Sequence, residues 1–169
     1  MKHPRFFLLL ALALLALVQA VWQQFSLPAL VAVHFNAAGQ ADGWMTRAYF
    51  LRYELSFTWG AFAVFTVLAL LAAVLPAALI NLPHKGYWLA PERSADTRRR
   101  LAGMVLGSGC GAVAFFLFLH QQLYLANVHA ERRLPLAPGV TIAVAVVLLL
   151  GPVVGPLLRF SRRPVPPAS

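Results

Sequence analysis

Acidic side chains are scarce in this chain. It has five Asp and Glu against fourteen Lys and Arg in 169 residues. Charged residues of both signs make up only 11% of the composition, where a soluble domain carries about a quarter. That scarcity excludes an ordinary water-soluble globule. Cysteine is nearly absent as well. The single Cys110 excludes an intrachain disulfide and says nothing about redox compartment. It lies in an apolar, Gly-rich run, where a thiol is expected as a small buried residue and not as a nucleophile. The chain also lacks HExxH, GxSxG and GxxxxGK[ST]. No residue pattern argues for catalysis or a cofactor, so the expectation is a protein that is not an enzyme.

What fills the chain instead is oil. Hydrophobic residues account for 60%, and they fall into four long runs, 6–25, 55–80, 101–126 and 140–160. Each is long enough to cross about 30 Å of hydrocarbon at about 1.5 Å per residue. Lipid offers no partner for free backbone groups, so helices are expected. The reading is an all-α, four-span membrane bundle over 1–160, followed by a disordered basic, Pro-rich tail at 161–169. The first run competes with a cleaved signal peptide, because Val18-Gln19-Ala20 fits a small-x-small site. The run continues through Val21, Trp22 and Phe25, which favours an uncleaved anchor.

The net charge of +9 points to membrane topology and away from nucleic acid, since no basic face exists outside the loops. Lys2, Arg5, Lys85, Arg93, Arg98, Arg99, Arg100, Arg159, Arg162 and Arg163 fall in alternate segments. The intervening segments hold only Arg47, Arg52, Arg132 and Arg133. The richer set belongs in the cytoplasm. Both termini and the loop before span three are then expected inside, and the connection after span one outside.

Two segments carry packing signals. Gly103, Gly107 and Gly111 recur every four residues, one helical face that lets another helix approach closely. Gly151 and Gly155 repeat that spacing in span four, each followed by a proline (Pro152, Pro156) expected to kink or loosen the helix. Spans three and four are expected to pack through these faces; the alternative is a homo-oligomer or a membrane-protein partner. The loop INLPHKGYWLAPERSADTRRR places Tyr87 and Trp88 in an interfacial aromatic belt. Pro91 and Glu92 suit a helix N-terminus, with Arg93 beside them, and Asp96 and Arg100 are spaced to pair. A short cytoplasmic interfacial helix leading into span three is expected, as an anchor or a docking surface.

The one compact polar stretch is VHFNAAGQADGW. Residues 29–35 suit a short extended segment, and Asn36–Gly39 and Asp42–Gly43 supply turn chemistry. Trp44 suits the interface. Local physics does not require His34; it is either a structural histidine bonding the turn backbone or part of a ligand site. The candidate recognition turn is therefore His34, Asn36, Gly39, Asp42, Gly43 and Trp44. Asp42, Glu54, His120 and His129 share its half of the membrane. His120, Gln121 and Gln122 fall inside span three, where polar residues face the bundle or a wet cavity. His34, His120 and His129 are weak candidates for zinc or copper, but none sits at a ligand spacing, and no metal is assigned.

LPALVAVHFNAAGQADGW resembles the signature of a bacterial membrane domain of unknown function found at the N-terminus of SdpI-type toxin-immunity proteins and in short stand-alone chains. The likeness runs through Leu27, Pro28, Val33, His34, Phe35, Asn36, Gly39, Asp42, Gly43 and Trp44. NLPHKGYWLAPER is similar to a recurrent segment of the short members. The resemblance implies a multi-pass protein of the bacterial cytoplasmic membrane. Such proteins sometimes protect against a secreted toxic peptide and signal to a cytoplasmic repressor. It implies no catalytic residues. The immunity proteins carry more spans than this chain. Three functions are thus open: recognition of an extracytoplasmic peptide or envelope signal, an accessory subunit held by glycine faces, and transport or metal handling.

Overall fold

The computed structural model describes residues 3–162; of the tail expected at 161–169, Ser161 instead ends the last helix and 163–169 lie outside the described residues. The chain order is α1 (Pro4–Gln23), β1 (Leu30–Phe35), β2 (Ala41–Thr46), α2 (Arg47–Val74), a 3-10 turn (Ala77–Leu79), α3 (Lys85–Trp88), α4 (Pro91–Val128) and α5 (Pro138–Ser161). α1, α2, α4 and α5 are each long and apolar enough to cross a membrane. The expectation of an all-α chain therefore holds for the spans but not for the polar connection, which is a two-stranded antiparallel hairpin.

Helix ends explain why two spans differ from the apolar runs. α2 starts eight residues before the apolar run at Leu55, because the Thr46 hydroxyl accepts from the Tyr49 amide and caps it. It stops at Leu75-Pro76, where the Arg98 side chain donates to the carbonyls of Ala72, Ala73 and Leu75, the last at 2.6 Å. Those are the acceptors a helix C-terminus leaves unpaired. α4 opens at Pro91, as the sequence suggests, with Glu92 in its first turn. It does not pause before span three. Pro91–Arg100 are the first turns of one 38-residue helix, about 57 Å long and so longer than the hydrocarbon is thick. The one-turn α3 lies before it.

α4 is the hub: α1, α2 and α5 all pack on it, and α1 also touches α2. α1 lays a buried stripe of Leu9, Ala13, Ala16, Ala20 and Gln23 toward its neighbours. The alternating steps of four and three keep this stripe on one helix face, and three alanines in it permit close approach. Leu9, Ala69, Leu106 and Val113 form the middle of the core. Leu27, Val31, Phe50 and Leu123 close the hairpin end, and Ile80, Leu82 and Phe160 close the other.

The glycine expectation is half right. A Cβ on Gly111 would strike the backbone carbonyl of Leu148, and one on Gly107 would meet Pro152 at 3.1 Å. These two glycines do seat α5. Gly103 instead faces His3 and Arg5 at the start of α1. Gly151 and Gly155 face nothing within 4 Å, so α5 presents Leu148 and Pro152 to α4, not its glycines. α5 is helical through both Pro152 and Pro156. Gly109, outside the four-residue repeat, is where Phe65 of α2 comes closest.

Candidate functional site

The hairpin is built from its turn outward. The Asn36 side-chain oxygen accepts from the amides of Ala38 and Gln40 at 2.9 and 3.0 Å. Gly39 follows at φ +73°, a left-handed position that a side chain would strain. Asp42 and Gly43, read as a second turn, lie within β2 instead. The register slips on both sides of His34, which pairs with Gly43. A Cβ on Gly43 would sit 2.8 Å from the His34 Cβ, so the irregularity needs glycine there.

This geometry aims two side chains at each other across the strands. His34 Nδ1 and Asp42 Oδ1 are 2.5 Å apart, with the side chains 74% and 43% exposed. His34 therefore bonds a carboxylate, not the turn backbone. Trp44, two residues on, is also exposed. Asn36, Gly39, Asp42, Gly43 and Trp44 thus gather with His34 on one hairpin, as the sequence suggests.

The hairpin is bolted down from beneath. Arg47 Nη1 donates to the carbonyls of Gln24 and Leu27 at 3.0 and 2.9 Å, closing the chain between α1 and β1. Asn127 of α4 holds Ala32 through both backbone groups, in a buried setting. On the turn side, the Leu134 amide donates to Gly39 and the Arg133 side chain to Ala38. The α4–α5 connection thereby touches the same turn.

Below the hairpin lies a polar layer inside the bundle. Glu54, placed by the sequence just outside span two, is within α2 and 1% exposed by side chain; His120 of α4 is 5% exposed. Glu54 Oε1 and His120 Nδ1 stand 3.5 Å apart, yet neither carboxylate oxygen has a hydrogen-bond partner among the described residues. The imidazole stacks on Phe116 and meets Phe50 edge-on. Beside this pair, Gln19 and Gln23 of α1 both donate to Gln121 Oε1 at 3.0 Å. Gln122 is buried too.

Gln121 faces the bundle, as its place inside span three implies; its partners Gln19 and Gln23, and Asn127, are groups that composition and spacing did not single out. A signal for them existed in kind: each is an amide within an apolar helix. The three histidines are not brought together. His34 is on β1, His120 is buried between helices, and His129 caps α4. Among the described residues no group of three His, Cys, Asp or Glu could hold a metal ion.

At the other end of the bundle, Tyr87 lies under the Arg93 guanidinium, 4.1 Å from ring centroid to carbon. Trp88 is a tether: its indole N–H donates to the Phe160 carbonyl at 3.1 Å, and the two rings meet edge-on. Asp96 and Arg100 pair at 2.6 Å.

The hairpin also falls within a family match. Residues 9–51 match a family described as Domain of unknown function (DUF1648). The matched stretch covers most of α1, the whole hairpin and the start of α2, less than half of the chain. No curated protein and no solved structure matches the chain.

Proposed function

We propose that this chain is a non-enzymatic, SdpI-like protein of the bacterial cytoplasmic membrane whose hairpin recognises an extracytoplasmic peptide or envelope signal. In this reading both termini and the 82–100 loop are cytoplasmic and the hairpin is outside. The distribution of Lys and Arg supports that orientation, and the DUF1648 match over 9–51 supports the kinship.

The observation that carries the reading is the exposed His34–Asp42 pair. The hairpin has its own turn and its own bolts, and an exposed side-chain pair adds little to stability. An imidazole–carboxylate pair beside an exposed Trp44 is instead suited to gripping a ligand with a polar backbone and an apolar side chain. The experiment is native mass spectrometry of the protein in mild detergent, wild type beside His34→Ala. A bound mass present only in the wild type is the expected outcome. The same bound mass in both would leave the hairpin as a fold device.

A second reading, an accessory subunit of a larger membrane complex or a homo-oligomer, is favoured by one observation. A Cβ on Gly151 would meet nothing within 4 Å among the described residues, in a span whose most apolar window has no buried residue. A loss of association in Gly151→Leu, with the His34 variant unaffected, would select it.

A further inference from the structure

The end of the bundle opposite the hairpin holds a cavity of about 560 Å³ between the start of α1, the first turns of α4 and the end of α5. Arg5, Arg99, Arg100 and Arg159 line it, with Asp96 as the one carboxylate. Asp96 is engaged by Arg100 at 2.6 Å and by Arg99 at 3.7 Å, so the lining keeps a large excess of positive charge. Arg159 has no side-chain hydrogen bond or ion pair among the described residues. His3 faces the same space, and its pKa is lowered first by burial and then by the charges of Arg5 and Arg99. A positive potential inside the cavity is thus felt by its own wall.

The arginines also mark a level. Arg5 immediately precedes the apolar run of α1, Arg98-Arg99-Arg100 immediately precede that of α4, and Arg159 lies in the last turn of α5. All stand where an apolar span meets its polar flank, which is the depth of lipid phosphates in a bilayer. Gly103 and Gly155 form part of the wall. A Cβ at Gly155 would meet nothing within 4 Å, so the absence of a side chain leaves room there. Guanidinium groups bind phosphate oxygens in forked pairs, and basic pockets between membrane helices take anionic headgroups.

We propose that this cavity binds the phosphodiester headgroup of an anionic phospholipid, held by Arg99, Arg100 and Arg159. The bound lipid bridges α5 to α1 and α4 on the side of α5 that lines the cavity. Arg5 is largely committed, donating to the Gly103 carbonyl at 2.6 Å, and serves as the rigid back wall. The site is independent of what the hairpin recognises.

The test uses the full chain purified in detergent and titrated with phosphatidylglycerol, phosphatidylcholine or inorganic phosphate, with bound mass read by native mass spectrometry. Phosphatidylglycerol is expected to be retained, phosphatidylcholine not, and inorganic phosphate at equal phosphate concentration is expected not to displace the lipid. Arg99→Gln with Arg159→Gln should weaken retention about fivefold per guanidinium removed. Gly155→Leu, whose Cβ meets nothing within 4 Å, should weaken it by narrowing the cavity, and Gly151→Leu, one turn earlier and outside the lining, should not. Circular dichroism checks that each variant stays helical. Displacement by inorganic phosphate would make this a free-anion site and overturn the lipid assignment. Equal retention of both lipids, or undiminished retention in the double-arginine variant and Gly155→Leu, would overturn the site altogether.

Discussion

Asn127 grips Ala32 at both ends of its peptide pairing. The Ala32 amide donates to Asn127 Oδ1 at 2.7 Å, and Asn127 Nδ2 donates back to the Ala32 carbonyl at 2.8 Å and to the Leu123 carbonyl at 2.8 Å. A carboxamide can mimic a neighbouring strand because it carries a donor and an acceptor side by side. One side chain of α4 thereby completes the edge of β1. Asn127→Ala leaves a buried amide and carbonyl without partners, at about 1–3 kcal/mol each. The hairpin should then open locally while the helices persist. Hydrogen exchange checks this: the Ala32 amide should lose protection in the variant, and α2 and α4 amides should keep theirs.

His34 and Asp42 should behave in the opposite way. Their pair is exposed, and an exposed pair is worth at most about 1 kcal/mol. His34→Ala and Asp42→Ala should shift the thermal midpoint little, yet each should abolish ligand retention. A large drop in midpoint for either would show that the pair holds the hairpin together. Full retention in both would remove the hairpin from recognition.

The Glu54–His120 pair should reveal itself in a mutant cycle. Both side chains are withdrawn from solvent, so removing one strands the other. Leaving a buried polar group without its neighbour costs about 1–3 kcal/mol, whereas replacing both members with apolar residues is often nearly neutral. His120→Leu should therefore destabilise strongly in a denaturant titration in micelles, and Glu54→Leu with His120→Leu should recover most of the loss. Additive losses would mean that the two residues do not act on each other.

The glycines of α4 and α5 should separate by context. Gly111→Ala drives a methyl group into the Leu148 carbonyl, and overpacking of this kind costs about 1–3 kcal/mol. Gly151→Ala meets open space, so within one chain it should be neutral or slightly stabilising, as a helical glycine replaced by alanine is. Cross-linking between cysteines introduced into α4 and α5 should fall in the first variant and stay unchanged in the second.

How far the sequence led depends on which kind of signal each element leaves. Four spans are visible because twenty apolar residues in a row have no other common use. Their ends are less visible, because Thr46 and Arg98 act as caps through contacts that hydropathy does not register. The turn at Asn36–Gly39 has its own local chemistry and was legible. Asp42-Gly43 looks the same in sequence but sits in a strand, since pairing with His34 overrides its turn preference. Gly107 and Gly111 were readable as a packing face; which residues of α5 fill that face was not. Glu54 with His120, and Asn127 with Ala32, are pairs separated by 66 and 95 residues, and one sequence carries no trace of such long-range partners.

Orientation is the remaining expectation with a direct physical test. In the proposed orientation, drawn from the positive charge bias, the hairpin is outside and the loop containing α3 inside. Cys110 is the sole cysteine, so Cys110→Ala gives a background free of thiols. Ala37→Cys sits in the exposed hairpin turn, and Gly86→Cys has nothing within 4 Å of its Cβ. A membrane-impermeant maleimide applied to intact spheroplasts should label position 37 at once and position 86 only after lysis. The reverse pattern would place the hairpin in the cytoplasm. It would turn the arginine-lined cavity toward the outer leaflet and leave the hairpin facing a cytoplasmic ligand instead of an envelope one.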